Sequence, residues 1–227
     1  MIYITGDTHG EQNRILQIQN EYHLTNGDTL IICGDFGFLF HNDKQENIFL
    51  DDLEKLPYTI CFCDGNHENF PAIYSYPVEE WNGGKVHKIR KNIFHLMRGQ
   101  IFEIENKSFF VMGGAYSIDK YMRLENVSWW KEEIPSNEEY KEASKNLRNH
   151  DFKVDYIITH TAPTEIVHNL CSYPDHHDAE LCGFLEWVMH ETTFDKWFFG
   201  HWHIDKKIYE KFYALYYDVT TFQQESM

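Results

Sequence analysis

The chain opens on an apolar run, Met1 to Thr5, and then carries Ile15, Ile18 and Tyr22 at helical spacing within Gln12 to Tyr22. Apolar residues three or four apart share one face of a helix, while a short apolar run bounded by turn residues fits a buried strand. Thr29 to Cys33 is a second such run, so the opening segment predicts a β-α-β unit. Asp43 to Leu56 predicts another helix, with Ile48, Phe49 and Leu53 on its apolar face, and Tyr58 to Cys63 a third strand. This alternation implies parallel strands with helical crossovers.

The middle of the chain changes period. Val86 to Ile89, Ile93 to Met97, Ile101 to Ile104 and Ser108 to Met112 read as short antiparallel strands, the last two joined by a polar turn around Asn106 and Lys107. Ala115 to Pro135 contains Tyr116, Tyr121, Trp129 and Trp130 without periodicity, and is expected to be a long loop or small cap beside the functional site. Ser136 followed by Glu139 forms a capping-box pattern, and Ala143 and Leu147 give the ensuing helix an apolar face. Val154 to Thr159 and Lys196 to Phe199 predict strands with a helix between them, Ala179 to Met189. Two further strands are expected at Lys207 to Leu215 and Tyr216 to Val219. With no internal repeat or linker, residues 1–227 are read as a single α/β domain.

Composition narrows the function classes. The 227 residues are 42% hydrophobic and 16% aromatic, enough for a sizeable core. Met1 leads directly into Ile2, Tyr3 and Ile4 without a basic or signal-like segment, and no stretch has membrane-spanning length, so the expectation is a soluble, cytoplasmic protein. Five cysteines without framework spacing fit a reducing compartment, with Cys33, Cys61 and Cys63 as core filler. A net charge of −16 argues against long nucleic acids as partners, because their binding needs a basic surface. It leaves room for a phosphorylated small molecule or phosphodiester, since bound cations would make an acidic protein locally positive.

Five short blocks carry the candidate chemistry. They are Gly6-Asp7-Thr8-His9, Gly34-Asp35, Gly65-Asn66-His67-Glu68, Thr159-His160 and Gly200-His201-Trp202-His203, each following an apolar run. Strand ends fix the backbone while the loops beyond them present side chains to a shared cleft. Asp7 and His9, like His201 and His203, lie two apart, which in extended backbone puts both side chains on one side. Singly, Asp7, Asp35 and Asn66 are also ordinary turn residues, and any one histidine is more often surface or core than ligand.

As an ordered set these blocks resemble the calcineurin-like metallophosphoesterase superfamily, the match running from Asp7 to His203. The resemblance implies an α/β/β/α sandwich of two mixed sheets flanked by helices. It implies two divalent metal ions, one held by Asp7, His9, Asp35 and His203 and the other by Asp35, Asn66, His160 and His201, with Asp35 bridging. Oxygen and imidazole donors without thiolate suit Mn²⁺ first, with Fe or Zn as alternatives. The activity implied is hydrolysis of phosphomono- or phosphodiesters by a metal-bridging hydroxide, with His67 as general acid.

The chain departs from the family pattern in one stretch. Three residues after Asp35, where members frequently carry an Asp that orients the catalytic histidine, stands Phe38; Leu39 and Phe40 occupy the region where the protein serine/threonine phosphatases have an Arg. These departures disfavour a phosphoprotein substrate and motivate a second reading, a catalytically weak metal-binding scaffold that recruits partners through its aromatic middle. Arg123 is a candidate substrate-phosphate contact, with a plain surface arginine as the alternative. Asp175-His176-His177-Asp178 reads as a solvated loop before a metal or substrate site, and Trp129 and Trp130 as cap packing or a base-stacking pair.

Overall fold

The computed structural model describes residues 1–171 and 176–222. The strands are β1 (Ile2–Thr5), β2 (Thr29–Ile32), β3 (Thr59–Phe62), β4 (Val78–Trp81), β5 (Gly84–Arg90), β6 (Ile93–Leu96), β7 (Gln100–Ile104), β8 (Lys107–Met112), β9 (Tyr156–Thr159), β10 (Lys196–Phe199), β11 (Lys206–Ile208), β12 (Phe212–Ala214) and β13 (Thr220–Phe222). The helices are α1 (Gln12–Tyr22), α2 (Lys44–Leu53), α3 (Phe70–Tyr74), α4 (Asn137–Asn149), α5 (Thr164–Leu170) and α6 (Ala179–Glu191).

Two mixed sheets form the centre. The first has strand order β13-β1-β2-β3-β6-β5-β4 and the second β11-β12-β10-β9-β8-β7. In the first, β1, β2, β3 and β6 run parallel, with β13 antiparallel at one edge and the β5–β4 hairpin at the other. In the second, β12, β10, β9 and β8 are parallel, flanked by antiparallel β11 and β7.

Side-chain alternation turns two sheets into four layers. Along β8, Phe109 and Val111 face the other sheet while Phe110 and Met112 face helices, and β2 splits likewise into Ile31 inward and Leu30 and Ile32 outward. The inner layer packs Ile4, Val86, Phe102, Ile158 and Phe198 with the free thiols of Cys33, Cys61 and Cys63, which are indeed core filler. Outside the first sheet, Ile15 and Ile18 of α1 and Leu50 and Leu53 of α2 cover Ile60 and Phe62. Outside the second, Ala143 and Leu147 of α4 and Leu181, Leu185 and Val188 of α6 cover Ile157, Trp197 and Phe199. The arrangement is the expected sandwich of two mixed sheets between helices. Ser136 and Glu139 make the predicted capping box at the start of α4.

Two local expectations are corrected. Ile48 is exposed, and the buried side of α2 is Glu46, Leu50 and Leu53, because the Glu46 carboxylate accepts the backbone N–H groups of His41 and Asn42 at 2.8 and 2.6 Å. Tyr216 to Val219 is not a strand: Asp205 accepts from the N–H groups of Tyr216, Tyr217 and Asp218, which removes them from any ladder. The aromatic terminus instead supplies β11, β12 and β13. The short elements α3, β4 and α5 carried too little periodicity to be predicted. Among the described residues, no helix is long and apolar enough to cross a membrane.

Candidate metal centre

Strands β1, β2, β3, β9 and β10 end at one edge of the sandwich, and each is followed within a few residues by one of the five blocks. Parallel direction within each sheet is what gathers the blocks, since it brings all carboxyl ends to the same side. Asp7, His9, Asp35, Asn66 and His67 come from the first sheet; His160, His201 and His203 come from the second.

The turns are tighter than extended backbone. His9, Asp35, His201 and His203 have φ of +47°, +49°, +67° and +48°, so the two-apart pairs meet through left-handed turns and not through strand alternation as expected. Residues without a β-carbon make room between them. A Cβ on Gly34, at φ +89°, would strike the His160 imidazole, and one on Gly200 would strike the Asp7 carboxylate and approach the Cys33 carbonyl oxygen at 2.6 Å.

The donors meet in two groups, Asp7 with His9 and His203, and Asp7 with Asp35 and His160, in which the ligand atoms all lie within 4.8 Å of one another. His203 Nε2 is 3.1 Å from Asp7 Oδ2 and 2.9 Å from His9 Nε2. His160 Nδ1 donates to the Cys33 carbonyl at 2.8 Å, which fixes the ring and leaves Nε2 facing Asn66 Oδ1 at 3.0 Å and Asp35 Oδ1 at 3.5 Å. His201 Nδ1 also lies 3.0 Å from Asn66 Oδ1, while its backbone N–H donates to Asp7. Asp7 stands in both groups, and Asp35 Oδ2 reaches to 3.9 Å from His9 Nδ1.

The electrostatics call for a cation. Burial opposes a charged ring at His160, yet Asp35 and Asp7 outweigh it and push the pKa up to about 10. Burial likewise opposes ionisation of Asp35, but His160, His67 and His9 hold it well below the usual carboxylate range. His201 is pushed down to about 3 by burial and by His160, so its ring is neutral. Two buried carboxylates beside imidazoles, an amide oxygen and no thiolate fit divalent cations.

His67 lies on the wall of the cavity above this centre, its backbone N–H donating to Asp35 Oδ1 at 2.7 Å. Burial lowers its pKa; Asp35 acts against this, Arg123 and His9 add to it, and Asp119 opposes. Phe38 does not approach this ring. It is buried beside Phe36 in the core under α1 and α2, and the charges around His67 come from Asp35 first, with His9 and with Arg123 and Asp119 of the segment 115–135. Arg123 belongs to that segment and is no surface arginine: Nη1 donates to Ser117 Oγ at 2.8 Å and to Asp119 Oδ1 at 3.2 Å with its side chain 9% exposed. It stands behind the cavity and is not among the residues that line it.

Several supporting residues carried no readable signal in the sequence. Ser117 Oγ accepts from Asn66 Nδ2 at 2.9 Å, turning Asn66 Oδ1 toward the histidines. Arg14 is buried on α1, where its Nη1 donates to the Asp7 carbonyl oxygen and its guanidinium lies about 5 Å over the rings of Tyr216 and Tyr217. Arg98 and His95 both bind Asp64, immediately before Gly65. Each is an isolated polar residue in an apolar or loop context, and its partner is far away in the chain.

The remaining candidates fall around the cavity. His177 stacks on Tyr116 at 4.5 Å, and Asp178 is buried, accepts from the Tyr116 N–H at 2.7 Å and lines the cavity. Asp175 and the side chain of His176 lie outside the described residues. Trp130 is buried against Phe40 and Trp129 lies beneath the Lys120 ammonium; neither lines the cavity.

No curated protein and no solved structure matches the chain. A family model does, over residues 1–205, and it spans all five blocks and strands β1 to β10. On that match, and with the donor set its strands assemble, the chain belongs to the calcineurin-like phosphoesterase family.

Proposed function

We propose that the chain hydrolyses phosphomono- or phosphodiesters at a dinuclear centre. Asp7, His9, Asp35 and His203 hold one divalent ion and Asp35, Asn66, His160 and His201 the other, with Mn²⁺ the first choice of metal and Fe or Zn the alternatives. The observation that carries this reading is the convergence of oxygen and imidazole donors from five strand ends, of which Asp35, Asn66, His201 and His203 line one cavity. When bound, two such ions lower the pKa of water and neutralise charge on phosphoryl oxygens.

The chain's own groups supply the rest. Cys33 and Ser117 hold the Nδ1–H of His160 and the Nδ2–H of Asn66, so the remaining donor atoms of these residues point inward. His67 faces the same cavity and delivers the proton to the leaving oxygen. Arg123 acts on His67 by its charge and on Asn66 through Ser117. Residues 115–135 serve as the cap of one domain, since Tyr116, Ile118 and Asp119 line the cavity. All five cysteines are free, which supports a reducing, cytoplasmic setting.

The test is turnover of p-nitrophenyl phosphate and bis-p-nitrophenyl phosphate by metal-stripped protein, before and after reloading with Mn²⁺. Metal-dependent release from one ester, abolished in Asp35→Asn, is the expected result. Two bound ions without turnover of any ester would favour the scaffold reading.

A further inference from the structure

The cavity above the centre has a volume of about 1050 Å³, far more than a phosphoryl group fills. Ile118, Val167, Cys171, Ala179, Cys182 and Trp202 give it apolar lining, alongside Thr164 and His168. Among the described residues no Lys or Arg lines it, whereas Asp119 and Asp178 do. The four residues between Cys171 and His176 include no Lys or Arg either.

The nearby cations of the cap are already engaged. Lys120 Nζ lies 3.1 Å from the buried carboxylate of Glu133 and 4.2 Å over the Tyr116 ring. Arg123 is held on Ser117 and Asp119 behind the wall. A second anionic group on a bound ester would therefore find no Lys or Arg in the wall, with Arg123 already held by Asp119, inside a protein of net charge −16.

We propose that this cavity selects phosphate esters with a single phosphoryl group and an uncharged, largely apolar organic group, and rejects esters bearing a further anion. The selection rests on the reading of the centre as the phosphoester site. The phosphoryl group sits over the metal donors, the organic group lies along Val167 and Trp202, and the histidines of the wall serve its hydroxyl or carbonyl groups. Nucleoside polyphosphates and sugar bisphosphates are excluded as good substrates.

The test uses a pair that differs only by a remote anion, 2-naphthyl phosphonate and its 6-sulfonated analogue, titrated into Mn²⁺-reloaded protein by calorimetry. The corresponding phosphate esters are assayed for hydrolysis in parallel. The unsulfonated phosphonate should bind at least about tenfold more tightly, and Ile118→Lys, at an exposed edge of the cavity, should reduce that ratio severalfold. Equal affinity, tighter binding of the sulfonated compound, or binding of neither overturns the selection. Discrimination between the phosphonates without hydrolysis of either ester would uphold the selection and overturn the hydrolase reading alone.

Discussion

Arg98 holds one carboxylate oxygen of Asp64 with two nitrogens, Nε at 2.8 Å and Nη2 at 2.5 Å, and both side chains are almost wholly buried. His95 Nε2 takes the other oxygen at 3.0 Å, and His87 Nδ1 lies 3.0 Å from His95 Nδ1. Asp64 immediately precedes Gly65, Asn66 and His67, so this network fixes the root of the turn that carries a proposed ligand and the proposed acid. Replacing Asp64 by Asn leaves a buried guanidinium with only the longer 3.4 Å contact to the Glu139 carboxylate as countercharge. Asp64→Asn should lower the free energy of unfolding by about 3–5 kcal/mol in urea denaturation, and a loss under about 1 kcal/mol would contradict the assignment.

The same pair sets an acid limit. Burial opposes ionisation of Asp64, but Arg98 and His95 outweigh it and hold the carboxyl at about 2, below its ordinary 3.8. A carboxyl depressed on folding stabilises the protein above its unfolded pKa, so the contribution is complete above about pH 4 and is lost as pH falls toward 2. The difference corresponds to roughly 2 kcal/mol. Urea titrations of the wild type between pH 5 and pH 2.5 should show this loss, and the same titrations of Asp64→Asn should lack it.

Ser117 stands between the cap and the metal centre, accepting from both Asn66 Nδ2 and Arg123 Nη1. Ser117→Ala removes the acceptor that orients the Asn66 amide. Metal affinity, measured by competition with a chelating dye, should fall about 10- to 100-fold while the far-ultraviolet spectrum is unchanged. Unaltered affinity would show that Asn66 is held by its histidine neighbours alone.

His67 belongs to neither tight donor group. His67→Ala should keep the wild-type metal content and lower kcat by about 10²–10⁴-fold. The deficit should be larger for alkyl esters, which need a protonated leaving group, than for nitrophenyl esters, which do not. Equal losses on both would remove the general-acid role.

The blocks were legible because each pairs a local signal, an apolar run, with a chemical one, an Asp, Asn or His just beyond it. Gln12–Tyr22 and Lys196–Phe199 were predicted to the residue for the same reason, a clean period bounded by turn residues. Ile48 was misplaced because apolar spacing cannot reveal that Glu46 is drawn inward by two backbone N–H groups. Ser117, Arg14 and Asp64 were missed because their importance lies in partners such as Asn66, Tyr216 and Arg98, which only the folded chain brings near. The left-handed turns at His9 and His203 were invisible as well, since the sequence shows a spacing of two but not the backbone that realises it.

The donors are divided between two sheets, Asp7, Asp35 and Asn66 on one and His160 and His201 on the other. Ions held between them, as proposed, would act as cross-links over the inner core, present only in the native state. Their binding energy is then also folding energy, growing as RT ln(1 + [M]/Kd), about 4 kcal/mol at a thousandfold excess over Kd. On that proposal the melting temperature of this protein would gauge metal occupancy, set by the free-metal level of its surroundings as much as by its hydrophobic layers.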